Sequence, residues 1–97
     1  MNAAASRHTT SRRSRTMQIH VHYYAEVREL AGLSSEDVRL PSGSTTVDLV
    51  GRVLRLHPDL EEVREMTHVI VNGTMVTTSP VLHEGDTVAL IPPVRGG

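Results

Sequence analysis

The sequence predicts an α+β domain in which a mixed sheet of about five strands packs on one main helix. Three observations carry that prediction. Short segments of apolar–polar alternation recur along the chain, beginning with "MQIHVHYY". One longer segment, "TVDLVGRVLRLHP", places apolar residues at helical spacing. The pair Asn72-Gly73 sits between two β-rich runs, the strongest hairpin signal that a short stretch can give. The implied order is strand, strand, helix, strand, strand, strand.

Each element has a local reason. In the first strand Ile19, Val21 and Tyr23 face one way and Gln18, His20, His22 and Tyr24 the other, the mark of a half-buried strand. "AEVRELAG" reads as a short helical turn stopped by Gly32, because glycine takes the left-handed conformation that ends a helix. "SEDVRLP" reads as a second strand ending at Pro41. After the loop "SGST", Thr45 is placed to cap the main helix with Asp48 three residues on, an approximate capping box. Val47, Val50, Val53, Leu54 and Leu56 are the expected apolar face of that helix, and Pro58 ends it. "DLEEVREM" adds one or two further turns, "HVIVNGTMVTT" forms the hairpin, and "HEGD" turns the chain into the last strand. In that strand, "TVALI", Val88 and Leu90 point inward and Ala89 and Ile91 outward.

Composition limits what such a domain can do. The chain has 97 residues, one domain's worth, and its core must be aliphatic: 13 Val, 9 Leu and 3 Ile against two Tyr and no Phe or Trp. No apolar run approaches the roughly 20 residues needed to span a bilayer, and no apolar segment follows the early arginines as in a signal peptide. Without cysteine there is no disulfide framework, thiolate nucleophile or zinc–cysteine site. A cytoplasmic protein is the expectation. All ten basic residues are arginine, so no side-chain amine is present to accept an isopeptide bond.

Charge divides the chain. Residues 1–16 hold four arginines and no acid and show no hydrophobic period, whereas residues 17–97 hold six arginines and eleven acids. The first segment reads as a disordered basic leader that contributes nothing to the fold, with Met17 as an alternative start. A nucleic-acid or membrane-surface tail, or a targeting peptide, is the rival, and four charges make a weak electrostatic footprint. The expected layout is therefore a leader over 1–16, a domain over 17–91 and an extended tail over 92–97.

The side chains offer little catalytic equipment. His20 and His22 share a strand face, but two imidazoles fall short of a zinc site, so no metal is expected. The acidic run "DLEEVRE" reads as the wet face of a helix whose start favours negative charge. No glycine-rich phosphate loop and no Ser-His-Asp pattern stand out, so the chain is poorly equipped as an enzyme acting alone. Tyr24, Met75 and Ile91 fall on outward phases of three strands and mark a candidate partner interface.

The last residues, "IPPVRGG", form the most specific motif. Pro92 and Pro93 cannot donate ladder hydrogen bonds, so the strand must stop, and their fixed φ makes the tail leave extended and stiff. The six residues Pro92, Pro93, Val94, Arg95, Gly96 and Gly97 reach at most about 20 Å. Gly96 and Gly97 have no side chains, so they fit a narrow channel and leave the terminal carbonyl open to another protein's groups.

"YYAEVRELAG", "VNG" and "LHEGDTVALIPPVRGG" together resemble the MoaD/ThiS sulfur carriers, most closely the MoaD branch, the small sulfur-carrier subunits of molybdopterin synthase. The resemblance covers residues 17–97. It implies the ubiquitin-like β-grasp fold, with the first and last strands side by side and parallel at the sheet centre. It also implies a function in which a partner similar to ubiquitin-activating enzymes uses ATP to adenylate Gly97, and a sulfur donor protein then leaves a thiocarboxylate there. The tail would insert into the large subunit of molybdopterin synthase and give its sulfur to cyclic pyranopterin monophosphate. No cofactor bound by the chain itself is implied. Arg95 departs from the small residue expected at that position, and the "RGG" ending is similar to that of ubiquitin. A carrier for thiazole or cysteine synthesis and a ubiquitin-like protein modifier therefore stay open as alternatives.

Overall fold

The computed structural model describes residues 15–92. Its elements are β1 (Thr16–Tyr23), α1 (Ala25–Ala31), β2 (Ser35–Pro41), α2 (Thr46–Leu56), a 3-10 helix (Pro58–Met66), β3 (His68–Val71), β4 (Thr74–Val76) and β5 (Thr87–Ile91). The strands form one sheet in the order β2-β1-β5-β3-β4. Among the described residues β1 and β5 run parallel, and the other strand pairs are antiparallel. This is the β-grasp arrangement, with the N- and C-terminal strands joined at its centre. Pairing begins at Thr16, one residue ahead of the expected domain start, and the Arg15 carbonyl accepts the Ser42 N–H at 3.2 Å.

The local signals act as their chemistry requires. Thr45 and Asp48 form a full capping box: the Asp48 carboxylate accepts the Thr45 N–H at 2.9 Å, and the Thr45 hydroxyl accepts the Asp48 N–H at 3.4 Å. Gly32 takes φ +83° and closes α1 by donating its N–H to the Arg28 carbonyl. Asn72 and Gly73 both have positive φ, 48° and 88°, which a two-residue turn matched to strand twist demands.

Among the described residues, fourteen apolar side chains form one buried cluster. Ile19, Val21 and Tyr23 of β1, Val38 and Leu40 of β2 and Val88 and Leu90 of β5 meet Val27 of α1, Leu49 and Val53 of α2, and Leu60 and Val63 of the 3-10 helix. The packed face of α2 is only in part the one expected. Leu49 and Val53 are buried with Thr46, Val50 and Leu54 are half-buried, and Val47 and Leu56 are 64% and 49% exposed. At 3.6 residues per turn Val47 lies roughly 160° around the axis from Leu49, so a seam on Leu49 turns Val47 to solvent. Leu56 occupies the last helical position, where the chain leaves for Pro58.

Two polar features brace the apolar centre. Tyr23, fully buried, donates its hydroxyl to Glu36 Oε2 at 2.5 Å, and His57 Nε2 lies 2.5 Å from the same oxygen. The Tyr23 and His57 rings meet edge to face at 5.7 Å. Burial, the hydrogen bond to Glu36 and the Glu36 charge all push the Tyr23 phenol far above its ordinary range, so it stays a neutral donor. The second brace is Asp86, whose carboxylate accepts from the Asn72 side-chain amide at 3.0 Å and the His83 N–H at 2.8 Å, tying the β4–β5 connection to the hairpin turn. Along the free edge of β2, the outward carbonyl of Arg39 accepts Arg52 Nη1 at 3.1 Å, which blunts that edge against strand addition.

Removing the shared acceptor, by Glu36→Ala, is expected to cost about 2 kcal/mol in urea denaturation, because the buried Tyr23 hydroxyl then has no partner. A second expectation concerns acid. Burial acts to raise the Asp86 carboxyl, but the Asn72 amide, the His83 N–H and the His83 charge outweigh it and hold it below its ordinary value. A lowered folded value contributes stability that is present above the unfolded carboxylate range and is lost as pH falls through the folded value. Unfolding curves across the acid range should therefore show a shallower loss for Asp86→Asn than for the unchanged chain, with a cost of about 1 kcal/mol at neutral pH.

Candidate functional site: the open sheet face and the tail base

The helices cover one face of the sheet and leave the other open, because alternation sends every second side chain outward. Register places these side chains in rows. His22 of β1 pairs with Ala89 of β5, Ala89 with Ile70 of β3, and Ile70 with Met75 of β4. The next row towards the C-terminus of β5 pairs Ile91 with His68. The Tyr24 N–H donates to the Leu90 carbonyl at 3.3 Å, so Tyr24 lies beside the last residues of β5. Ala25 follows with φ +51°, a left-handed value unusual for a residue with a Cβ, and turns the chain sharply away from the sheet into α1.

Of the interface residues read from sequence, Tyr24 is 46% exposed, Met75 53% exposed, and Ile91 half-buried. Tyr24 and Ile91 stand at one end of the sheet and Met75 at its β4 edge. Between them lies Ile70, a half-buried residue that sequence reasoning missed. The signal was present: in "HVIV", Val69 and Val71 pack on the core, so Ile70 must face out. The result is an apolar strip of Met75, Ile70, Ala89 and Ile91 that ends at Pro92, where strand pairing stops as two consecutive prolines require. Pro93, Val94, Arg95, Gly96 and Gly97 lie outside the described residues.

The cleft between helices and sheet, lined by Val27, Val53, Leu54, Leu60 and Leu90 among others, has a volume of about 40 Å³. His20 Nδ1 sits 2.6 Å from Asp37 Oδ1, and among the described residues no three His, Cys, Asp or Glu side chains come together as metal ligands. The acidic segment 59–65 forms the 3-10 helix, with its acids exposed and Leu60 and Val63 buried. Among the described residues no helix is long and apolar enough to cross a membrane.

A β-grasp domain with an open apolar sheet face at the base of its C-terminal segment has the architecture of the ubiquitin-like proteins. The chain belongs to the ThiS family, whose sequence pattern matches residues 21–97. It is 37% identical over 83 residues to a molybdopterin synthase sulfur carrier subunit of Chlamydomonas reinhardtii, covering 84% of this chain and 100% of that one. It is 35% identical over 82 residues to the protein of the same name in Arabidopsis thaliana, covering 84% and 85% of the two chains. Among solved structures, it is similar to the crystal structure of SAMP1 from Haloferax volcanii, with TM-score 0.75 and 27% identity over 82% of this chain and 99% of that one.

Neighbouring tyrosines should separate the core from the face. Tyr24→Ala is expected to change unfolding free energy by no more than about 0.5 kcal/mol, since nearly half of the ring already meets solvent. Tyr23→Phe should cost about 1–2 kcal/mol, because it strips a donor from Glu36. Paired chemical denaturation of the two variants checks both values.

Proposed function

We propose that this chain is a sulfur carrier of molybdenum cofactor synthesis, acting as the small subunit of molybdopterin synthase. The observation that carries the proposal is the match to two relatives named molybdopterin synthase sulfur carrier subunit, each over most of both chains.

In this reading each step follows from simple reactivity. A terminal carboxylate is ionised at neutral pH and resists nucleophiles. An adenylating partner joins the Gly97 carboxylate to the α-phosphate of ATP and releases pyrophosphate, which supplies a leaving group. Hydrosulfide released by a sulfur donor protein then attacks the acyl carbon, forms the C–S bond and expels AMP. The resulting thiocarboxylate carries a soft nucleophilic sulfur. The large subunit of the synthase receives the tail in a channel, the sulfur bonds to a carbon of cyclic pyranopterin monophosphate as one of the two dithiolene sulfurs, and water then cleaves the acyl C–S bond, which returns Gly97 to a carboxylate for the next cycle. Pro92 and Pro93 stiffen the tail, Val94 and Arg95 set its fit, and the two glycines let partner groups approach the acyl carbon. Tyr24, Met75, Ile91 and the intervening Ile70 form the docking surface for these partners, while the β-grasp core holds the tail base in place.

A second reading is favoured by one feature: the Arg95-Gly96-Gly97 ending together with similarity to a small archaeal modifier protein. A protein modifier would form an isopeptide bond to lysines of other proteins. It could not build chains through its own side chains, which include no lysine. A thiocarboxylate carrier for thiazole or cysteine synthesis would share the activation chemistry and differ only in the acceptor.

Intact mass spectrometry after incubation with an adenylating enzyme, ATP and a sulfide source tests the proposal. A mass gain equal to sulfur replacing oxygen, absent when Gly97 is deleted, is the expected result. Adducts to substrate lysines with no such gain would favour the modifier. Tyr24→Ala and Met75→Asp are each expected to weaken binding to the large subunit by at least about tenfold in titration calorimetry, the loss typical of a central interface anchor.

A further inference from the structure

We propose that His22 and His68 make the docking face selective for a partner that places carboxylates around an apolar centre. The inference rests on the docking role given to this face above. His22 shares a row with Ala89, Ile70 and Met75, and His68 pairs with Ile91 at the tail base, so the two imidazoles sit at opposite ends of the apolar strip's two rows. Neither side chain has a hydrogen-bond or ionic partner among the described residues, although His20, two residues back on the same strand face, is held by Asp37 at 2.6 Å.

The charged surroundings limit what can cover them. On the open face β1 contributes His20 and β2 contributes Asp37 and Arg39, while Glu84 reaches the Gln18 N–H at the far end of β1. The outward side chains Thr87, Ala89 and Ile91 of β5, Ile70 of β3 and Met75 of β4 carry no charge. Asp37 is already engaged by His20, and among the described outward strand residues no other acid is placed beside His22 or His68. A wholly apolar partner would strip water from two polar rings and return nothing. A basic partner would repel each ring whenever it is protonated. A carboxylate fits both protonation states, accepting from the neutral N–H and pairing with the imidazolium. The apolar strip between them, continuous with the tail base, supplies the buried centre of such an interface, with the histidines at its polar rim.

The pH dependence follows with its sign. A carboxylate brought against an imidazole on binding favours the charged ring, so the complex takes up protons and tightens as pH falls. The experiment is calorimetric titration of the full chain with the molybdopterin synthase large subunit of the same organism between pH 8 and pH 6. Affinity should rise about three- to tenfold on acidification. The double variant His22→Gln, His68→Gln should lose that rise. His68→Asp should weaken binding throughout, and His68→Arg should bind at pH 8 as the unchanged chain binds at pH 6. Affinity that is flat or falls on acidification, or tolerance of His68→Asp, would overturn the proposal. Tyr24→Ala in the same series separates the two claims. If it weakens binding while the histidine variants behave like the unchanged chain, only the carboxylate partner is lost; if it leaves affinity unchanged, the docking role of the face falls as well.

Discussion

Parallel pairing of β1 with β5, from His20–Thr87 to Tyr23–Leu90, joins residues from opposite ends of the chain, and the other features of the molecule are arranged around it. It puts Val21 and Val88, both fully buried, at the centre of the core. It makes the last residues of β5 leave the sheet beside the end of β1. Parallel strands cannot be joined by a tight turn, so the intervening chain must cross over, and α2 with the 3-10 helix makes that crossing. The helices thereby cover one sheet face, and the face they leave bare adjoins the tail base.

That geometry suits the proposed carrier role. A reactive terminus needs a rigid base so that the enzyme receiving it locates the acyl carbon without ordering the whole chain at each visit. The base here is a central strand, paired on both sides, whose neighbour β1 is itself braced by Tyr23, Glu36 and His57. The apolar strip on the open face shares its strands with the core, so that face and the packing inside are linked through the same backbone. Alternation alone separates them: Tyr23 supports the interior while Tyr24 faces solvent.

Much of this was legible in the sequence. The alternation of β1, the Thr45–Asp48 box, the Gly32 stop and the Asn72-Gly73 turn are local, each decided by a few neighbouring residues whose chemistry admits few alternatives. Tyr24, Met75 and Ile91 were legible as outward residues for the same reason. The failures are long-range. The seam of α2 passes through Thr46 and Leu49 because of what lies beneath the helix, and counting apolar residues along the chain assigns Val47 and Leu56 a weight they do not carry. Glu36 looks like one more surface acid until Tyr23 and His57, 13 and 21 residues away, converge on it. Ile70 escaped attention because a short apolar run hides which of its members faces out.

The central claim is that the terminus, docked through this face, delivers sulfur to a pterin. A single-turnover reaction tests it most directly: the chain carrying a Gly97 thiocarboxylate, mixed with the large subunit and cyclic pyranopterin monophosphate, with the dithiolene product and the mass of the spent chain followed together. The account predicts that product appears as the thiocarboxylate returns to carboxylate. A thiocarboxylate that persists beside the large subunit and its pterin, with no dithiolene formed, would contradict it.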